Sequence, residues 1–385
     1  MNNSADHKTK IMFLFPHLAF MVTHRIDLIK YLQENGYEIF VLVGGSASRS
    51  MTAVAEAIAY EKSISYVDIG MNSRSKNLFK DIASFFRFLI HIYRFKPNII
   101  HAISTKPILF TSLASLLFRN VKIVCAISGL GIIGNNRREI SASLLRRMIQ
   151  YLPRIASDHR FIFQNESDLT VINRLDRSRS CLILGSGVNI PRNKDIKKEK
   201  IVLFASRMIK EKGLNCFCFV AKKVKTYHSD WRFVLAGSFD YESSNAVTLD
   251  EFRLIPGSDC TEVLGFVANM EPLYATASII LHPSEYGEGL SKTILQGMSH
   301  KCAVITSNLP GCADAFRIEG SGIVVEDYLN PEAYSSELLS LINNEDRLND
   351  IGEKAQATVM EYYTKERIHK MHLDIYKNIE KGHCA

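Results

Sequence analysis

Four side chains have the types and spacing to work on a phosphate-bearing ligand: Arg207, Lys212, Glu288 and Gln296. Arg207 and Lys212 lie in "SRMIKEKG", directly after the apolar run "KIVLFA". Two cations where a buried strand ends suit a diphosphate, since each binds phosphoryl oxygens as they gain charge. The other reading is a pair of solvated loop charges. Glu288 lies in "SEYGEGLSKTILQGMS" (284–299), after the strand-like "ASIILHP". Here Gly289, Leu290 and Ser291 mark a strand-to-helix junction, where free N–H groups and the helix dipole favour an anion. Gly289 lets the backbone approach a phosphate closely. Lys292 and Gln296 follow within about two helical turns of Glu288, on roughly its side. An acid in the loop and an amide further down that face can hold two parts of one elongated ligand. Alternatively, Ile294, Leu295 and Met298 simply pack a core while Glu288 is solvated. No P-loop or GxGxxG accompanies these residues, which disfavours an ATPase or a dehydrogenase.

The elements that must position these residues alternate along the whole chain. "KIMFLF", "EIFVLVG", "ISYVDIG", "NIIHAIS" and "VKIVCAIS" read as strands. Between them lie the helical "HRIDLIKYLQENG", "MTAVAEAIAYEKS", "NLFKDIASFFRFLIHIYRFKP" and "ILFTSLASLLFRN". This βαβα order implies parallel sheets covered by helices on both faces. The polar "PRNKDIKKEK" (191–200) reads as a linker, after which the alternation restarts. The expected architecture is α/β, with two Rossmann-like, doubly wound domains facing across a cleft and a ligand at the strands' carboxyl ends. Domain limits are expected at 1–190 and 191–360. The closing run "MEYYTKERIHKMHLDIYKNIEKG" reads as one long helix, with 361–385 packing back toward the N-terminal domain.

The 385 residues suit two domains, and 46% hydrophobic with 23% charged is a globular composition. Residues 1–200 hold 29 Lys+Arg against 15 Asp+Glu (+14), whereas residues 201–385 hold 18 against 25 (−7). The first half is therefore expected to meet an anionic surface or substrate. "SFFRFLIHIYRFKP" and "RREISASLLRRMIQYLPR" are amphipathic and basic, which suits an anionic membrane surface; packing the apolar side inward is the alternative. The eight cysteines form no CxxC or Cys/His pattern, so free thiols in a reducing compartment are expected. Pro16 and His17 interrupt the first apolar run, which argues against a signal peptide, and no run reaches membrane-spanning length.

The run "LGFVANMEPLYATASIILHPSEYGEGLSKTILQGMSHKCAVITSNLPGC", with "SRMIKEKG" and "GSGIVVE", resembles glycosyltransferase family 4, whose fold is GT-B. In the first half, "HAISTKP", "ISGLGIIG", "FIFQNESD" and "ILGSGVNI" resemble bacterial members that build lipid-linked O-antigen or capsule saccharides. The resemblance implies that Glu288 lies against the donor sugar and that Arg207 and Lys212 bind the donor diphosphate. The base is implied at the "LGF" turn with Gly265 and Phe266, and Gly237, in "RFVLAGS", joins Gly289, Leu290, Ser291 and Lys292 on the donor. The family's second acid, which holds the ribose hydroxyls, is Gln296 here. A glutamine both donates to and accepts from a diol.

The first half departs more from the family pattern. "PHLAFMVTHR" stands where many members have a glycine-rich loop, so His24 and Arg25 are read either as contacts there or as helix-start residues. Ile103 stands where many members have a donor-contacting histidine, with Ser104, Thr105 and Lys106 as candidate substitutes. Gly129 and Gly131 are expected to shape a loop at the cleft, and Arg74 and Arg138 to contact an anionic acceptor. The reading is a retaining glycosyltransferase peripheral to the cytoplasmic face of the membrane. It would move a sugar such as an N-acetylhexosamine from a UDP-sugar to an undecaprenyl-diphosphate-linked saccharide, with no cofactor, divalent metal or nucleic acid. Its rivals are a sugar-nucleotide 2-epimerase of the same fold and a non-catalytic nucleotide-sugar-binding protein.

Overall fold

The computed structural model describes residues 8–45, 49–72, 77–129, 159–171, 179–191, 196–239 and 245–381. They divide into two compact units. The first takes the described residues up to Gly129, those from His159 to Ile183, and His369 onward; the second takes those from Leu184 to Ile368.

In the first unit the apolar runs form β1 (Lys10–Phe15), β2 (Glu38–Val43), β3 (Val67–Asp68), β4 (Ile99–Ile103), β5 (Lys122–Ile127), β6 (His159–Phe163) and β7 (Ser180–Leu182). They make a parallel sheet in the order β3-β2-β1-β4-β5-β6-β7. Both central strands, β1 and β4, are buried nearly throughout, which is why they read as unbroken apolar runs. The described helices of this unit's first part are α1 (Leu18–His24), α2 (Ile26–Glu34), α3 (Arg49–Glu61), α4 (Leu78–Phe95), α5 (Thr105–Ala114) and α6 (Glu166–Val171). Phe88 and Ile92 of α4, with Phe110 and Ala114 of α5, pack in one cluster with Met12 and Leu14 of β1.

The second unit repeats the plan with β8 (Glu199–Ala205), β9 (Arg232–Ala236), β10 (Glu262–Gly265), β11 (Ala277–His282), β12 (Ala303–Ser307) and β13 (Ile323–Val325). Its parallel order is β10-β9-β8-β11-β12-β13. Alternate residues of a strand face opposite sides. Accordingly Val202 and Phe204 of β8 enter one cluster, whereas Ile201, Leu203 and Ala205 enter another. The helices are α7 (Leu214–Lys225), α8 (Leu249–Arg253), α9 (Glu271–Thr276), α10 (Lys292–Ser299), α11 (Pro331–Ile342), α12 (Glu345–Tyr362) and α13 (Lys365–Glu380).

The expected single long helix at the end is two helices. The break falls at Tyr363 and Thr364, where the chain runs parallel to Val188 for one bridge. The Val188 N–H donates to the Tyr363 carbonyl (2.9 Å) and the Lys365 N–H to the Val188 carbonyl (3.2 Å). The buried Tyr363 also donates its hydroxyl to the Asp314 carbonyl at 3.2 Å. The Thr364 hydroxyl also accepts from the Arg367 N–H at 3.4 Å, a local helix-start contact, so this cap and the distant pairing together separate α12 from α13. Residues His369 onward of α13 belong to the first unit, where Tyr376 and His372 are fully buried.

Candidate functional site

In each sheet the strand order reverses direction beside the first strand, between β1 and β4 and between β8 and β11. Crevices beyond the carboxyl ends of such strands are where open α/β sheets bind ligands. In the second unit, "SRMIKEKG" leaves β8 and "PSEYGEGLS" leaves β11, so the two sequence motifs emerge side by side.

Backbone contacts lock these two loops together. Gly213, at φ +78°, lies so close to Pro283 that a Cβ would stand 2.0 Å from the Pro283 carbonyl oxygen. Only a residue without a side chain fits there. The Glu285 N–H donates to the Glu211 carbonyl at 2.8 Å. A third loop, after β12, holds the other side: the Glu288 N–H donates to the Pro310 carbonyl (2.9 Å) and the Ser291 N–H to the Gly311 carbonyl (3.0 Å).

This framework brings Lys212 Nζ to 2.6 Å from Glu288 Oε1, in a largely buried ion pair. Lys212 comes from a single 3-10 turn, Lys210–Lys212, and its ammonium also lies 5.0 Å from the centre of the Tyr286 ring. His282, the last residue of β11 and 2% exposed, places Nε2 at 2.8 Å from the same Glu288 oxygen. Burial pushes the Glu288 carboxyl up, but Lys212 and His282 outweigh it and hold it well below the usual carboxylate range. Burial pulls the Lys212 ammonium down, and Glu288 more than reverses this. Both groups are therefore charged. An ionised carboxylate only accepts, so His282 Nε2 carries the hydrogen it donates to Glu288. Ser291 Oγ stands 3.3 Å from that nitrogen, and Ser291 makes no side-chain cap to α10.

His282 and the loop after β12 are the parts that sequence reasoning missed. Their signals were a histidine ending a strand otherwise apolar, "ASIILH", and the glycine of "PGC". His282, Glu288 and Cys312 offer ligand atoms within 4.8 Å of one another, a spacing that a metal could use. The donor set fits one poorly, because the Lys212 ammonium, 2.6 Å from Glu288, already supplies the positive charge beside the carboxylate and would repel a cation there.

The other donor-side residues surround this cluster on the second sheet's carboxyl edge. Arg207 is half-buried and two residues past β8, with its carbonyl accepting from Ser206 Oγ at 3.0 Å. Gly237, two strands from β11, would place a Cβ 1.6 Å from the Ser206 carbonyl oxygen, and its N–H donates to Gly265 at 2.7 Å. It thus joins the ends of β8, β9 and β10. Gly265 has φ +69° with open space beside it, and Phe266 is 37% exposed. Gly289, Leu290 and Ser291 are buried, and Leu290 packs in the core with Ile294, Leu295 and Met298. Lys292 and Gln296 share the half-buried side of α10, one turn apart. The Gln296 carbonyl accepts from Ser299 Oγ (2.8 Å) and lies 2.9 Å from His300 Nδ1.

The first-unit candidates are dispersed. His24 is half-buried at the end of α1 and packs on Phe20, with ring centres 4.6 Å apart. Arg25 is only 2% exposed; its Nη1 donates to the His24 carbonyl, and burial lowers its guanidinium to about 10. Lys106 donates to both oxygens of Asp81 at 2.8 Å and to the Asn72 carbonyl, tying the start of α5 to the start of α4. Ile103 is fully buried, and Ser104 after it adopts φ +75°, a strained conformation for a residue with a side chain. Gly129 has φ +107°. Arg74, Gly131 and Arg138 lie outside the described residues.

Two family models match the chain: "Glycosyl transferase 4-like" over residues 10–165 and "Glycosyl transferases group 1" over residues 188–358. Among curated proteins, the chain is 24% identical over 401 residues to N,N'-diacetylbacillosaminyl-diphospho-undecaprenol alpha-1,3-N-acetylgalactosaminyltransferase of Campylobacter jejuni. That match covers 97% of this chain and 100% of the relative. Among solved structures, a glycosyltransferase from Rickettsia africae matches with TM-score 0.73 and 20% identity over 97% of this chain and 99% of its own. Anabaena HepE, solved with UDP-glucose, matches with TM-score 0.75 and 15% identity over 96% and 99% of the two chains.

Proposed function

Because the chain belongs to glycosyltransferase family 4 and is a transferase with the GT-B fold, we propose that it moves a sugar from a UDP-sugar to a lipid-linked saccharide. The acceptor is an undecaprenyl-diphosphate glycan of surface-polysaccharide assembly, and the transferred sugar is an N-acetylhexosamine. The observation that carries this reading is the charged Lys212–Glu288 pair, with His282 beside it, at the carboxyl ends of β8 and β11. The full-length likeness to an enzyme named for a diphospho-undecaprenol acceptor supports the acceptor class.

In this reading Glu288, held still by Lys212, His282 and the Pro310 carbonyl, accepts hydrogen bonds from the donor sugar's hydroxyls. Lys212 has three N–H donors and the Glu288 contact takes one, so the ammonium serves both the acid and the diphosphate. Arg207 and the amides near Gly289 complete the charge on the departing UDP. The bond between the sugar's anomeric carbon and the phosphate oxygen breaks. A new bond to the acceptor oxygen forms on the same face, and the acceptor hydroxyl's proton passes to the departing phosphate. The configuration is retained. These cations supply the charge that a divalent metal would otherwise supply. Gln296 holds the ribose diol.

Release of UDP from several UDP-sugars, measured with a panel of short-chain polyprenyl-diphosphate saccharides, tests the reading. Release requiring both substrates, with a product of retained configuration, is expected. Conversion of the donor without acceptor would indicate an epimerase, and donor binding without turnover on any acceptor would indicate a binding protein.

A further inference from the structure

We infer that the outer face of α4 is a bilayer-docking surface for anionic lipid headgroups and the acyl chains beneath them. The helix has two apolar faces. Ser84, Phe88 and Ile92 are buried on one, with Phe85, Leu89 and Phe95 packed beside them against the sheet. On the other face Phe79 is 85% exposed, Tyr93 72%, Leu78 69%, Phe86 60%, Ile90 49% and Ile82 45%. At about 100° per residue these six side chains fall within a sector roughly 120° wide. They run nearly the whole length of the helix, on the order of 27 Å.

Isolated exposed apolar residues are ordinary, but six large ones on one helix form a contiguous patch, which marks an interaction surface. The charges select its partner. Lys80, Arg87 and Arg94 are exposed at intervals of seven residues, so they line one edge of the apolar sector. Asp81, the only acid on this helix, is ion-paired with Lys106. An apolar stripe with a cationic border and a neutralised acid complements an anionic bilayer, where long basic side chains reach headgroup phosphates while the rings enter the acyl boundary.

The placement also suits the proposed acceptor, and to that extent the inference rests on the reading above. The Asp81–Lys106 pair holds the first turn of α4 beside Lys106, three residues beyond the carboxyl end of β4. Leu78 and Phe79 therefore lie at the sheet edge where open α/β sheets bind ligands. A saccharide anchored in the bilayer by its lipid would be presented to that edge. The patch itself stands on the exposed residues, independently of any donor or acceptor.

Co-sedimentation of the full chain with phosphatidylglycerol–phosphatidylcholine vesicles, and with phosphatidylcholine alone, tests this. Wild type should bind the anionic vesicles and be released by salt. The triple variant Phe79→Ser, Phe86→Ser, Ile90→Ser should lose at least about tenfold in partitioning while keeping its melting temperature, since all three side chains are exposed. Lys80→Gln with Arg94→Gln should remove the preference for anionic vesicles. The inference is overturned if the triple variant binds as wild type does, or if wild type ignores both vesicles. It is equally overturned if wild type self-associates and the triple variant is monomeric, because a second copy then covers the face. Transfer to a water-soluble acceptor analogue should be unchanged in Phe86→Ser with Ile90→Ser, which leaves Leu78 and Phe79 at the sheet edge intact. If wild type shows no transfer while vesicle binding still tracks α4, the substrate reading fails and the surface stands.

Discussion

Gly311 lies directly against the backbone of Glu288: at φ +75°, a Cβ on it would stand 2.4 Å from the carbonyl oxygens of both Glu288 and Gly289. The loop after β12 therefore determines where the acid sits, although it contributes no charge of its own to the cluster. Gly311→Ala should cut transfer at least tenfold and destabilise by about 1–3 kcal/mol, since alanine strains the left-handed backbone and pushes on the Glu288 loop. Gly287→Ala is the control. Its Cβ would meet only Pro310, at an ordinary 3.6 Å, and should change little. Steady-state rates and thermal melts of the two variants check this.

The two cations should separate in their effects. Arg207→Ala, at a half-buried loop position, should lose on the order of 100-fold in kcat with an unchanged melt. Lys212→Met removes the partner of a buried charge and should also cost about 3–5 kcal/mol of stability. Adding Glu288→Gln should restore much of that stability and none of the activity. The pH dependence follows from the depressed Glu288 carboxyl. Its stabilising contribution is present above the unfolded carboxyl value and lost only as pH falls through the lower folded one. In Lys212→Met, the ammonium that does most to oppose burial is gone while His282 remains, so the acid-induced loss should begin at higher pH. Melting curves against pH decide this, and identical acid limbs in wild type and variant would refute it.

Gln296→Glu should keep activity and lower the donor KM, because a carboxylate accepts from a diol more strongly than an amide does. Gln296→Leu should weaken donor binding by about 1–3 kcal/mol, seen in KM more than kcat, since the ribose keeps its bonding during transfer. Glu288→Gln should instead lower kcat. Normal donor affinity in Gln296→Leu together with normal turnover in Glu288→Gln would reduce both to bystanders.

The buried His101 sets a second pH response, in the first unit. Its Nδ1 lies 2.5 Å from the Tyr376 hydroxyl of α13, and burial first, then His372 and Arg25, hold it well below its ordinary value. A histidine kept neutral in the fold contributes stability that is full above about pH 6.5. That contribution declines as pH falls toward the folded value, since the unfolded chain takes up the proton first. The wild-type melt should therefore drop below pH 6.5, and His101→Gln should flatten that limb while lowering stability at pH 8. An unchanged slope in the variant would assign the response elsewhere.

The sequence by itself determined the elements and where the candidate charged residues stand along them. Unbroken apolar runs specify strands buried on both faces, as in β8 and β11, and their alternation with amphipathic helices specifies parallel doubly wound sheets. Arg207, Lys212 and Glu288 were legible as candidates because each stands in the loop that leaves such a run. Their types limit them to anion and hydroxyl chemistry. These are local properties, written within a few residues. What the tertiary structure alone decided is every relationship across the sheet. Lys212 and Glu288 are 76 residues apart and meet only because β8 and β11 are neighbours at the reversal of strand order. His282 gains a role because that same loop returns Glu288 to it. Lys106 becomes a tie to Asp81, Arg25 goes inside, and the terminal helix breaks at Tyr363, where Val188 pairs with the chain. Periodicity repeats within one element and carries no record of its neighbours. Ion pairs, strand register and the close approach of Gly311 to Glu288 arise when crossovers bring distant segments into contact, so only the folded chain reveals them.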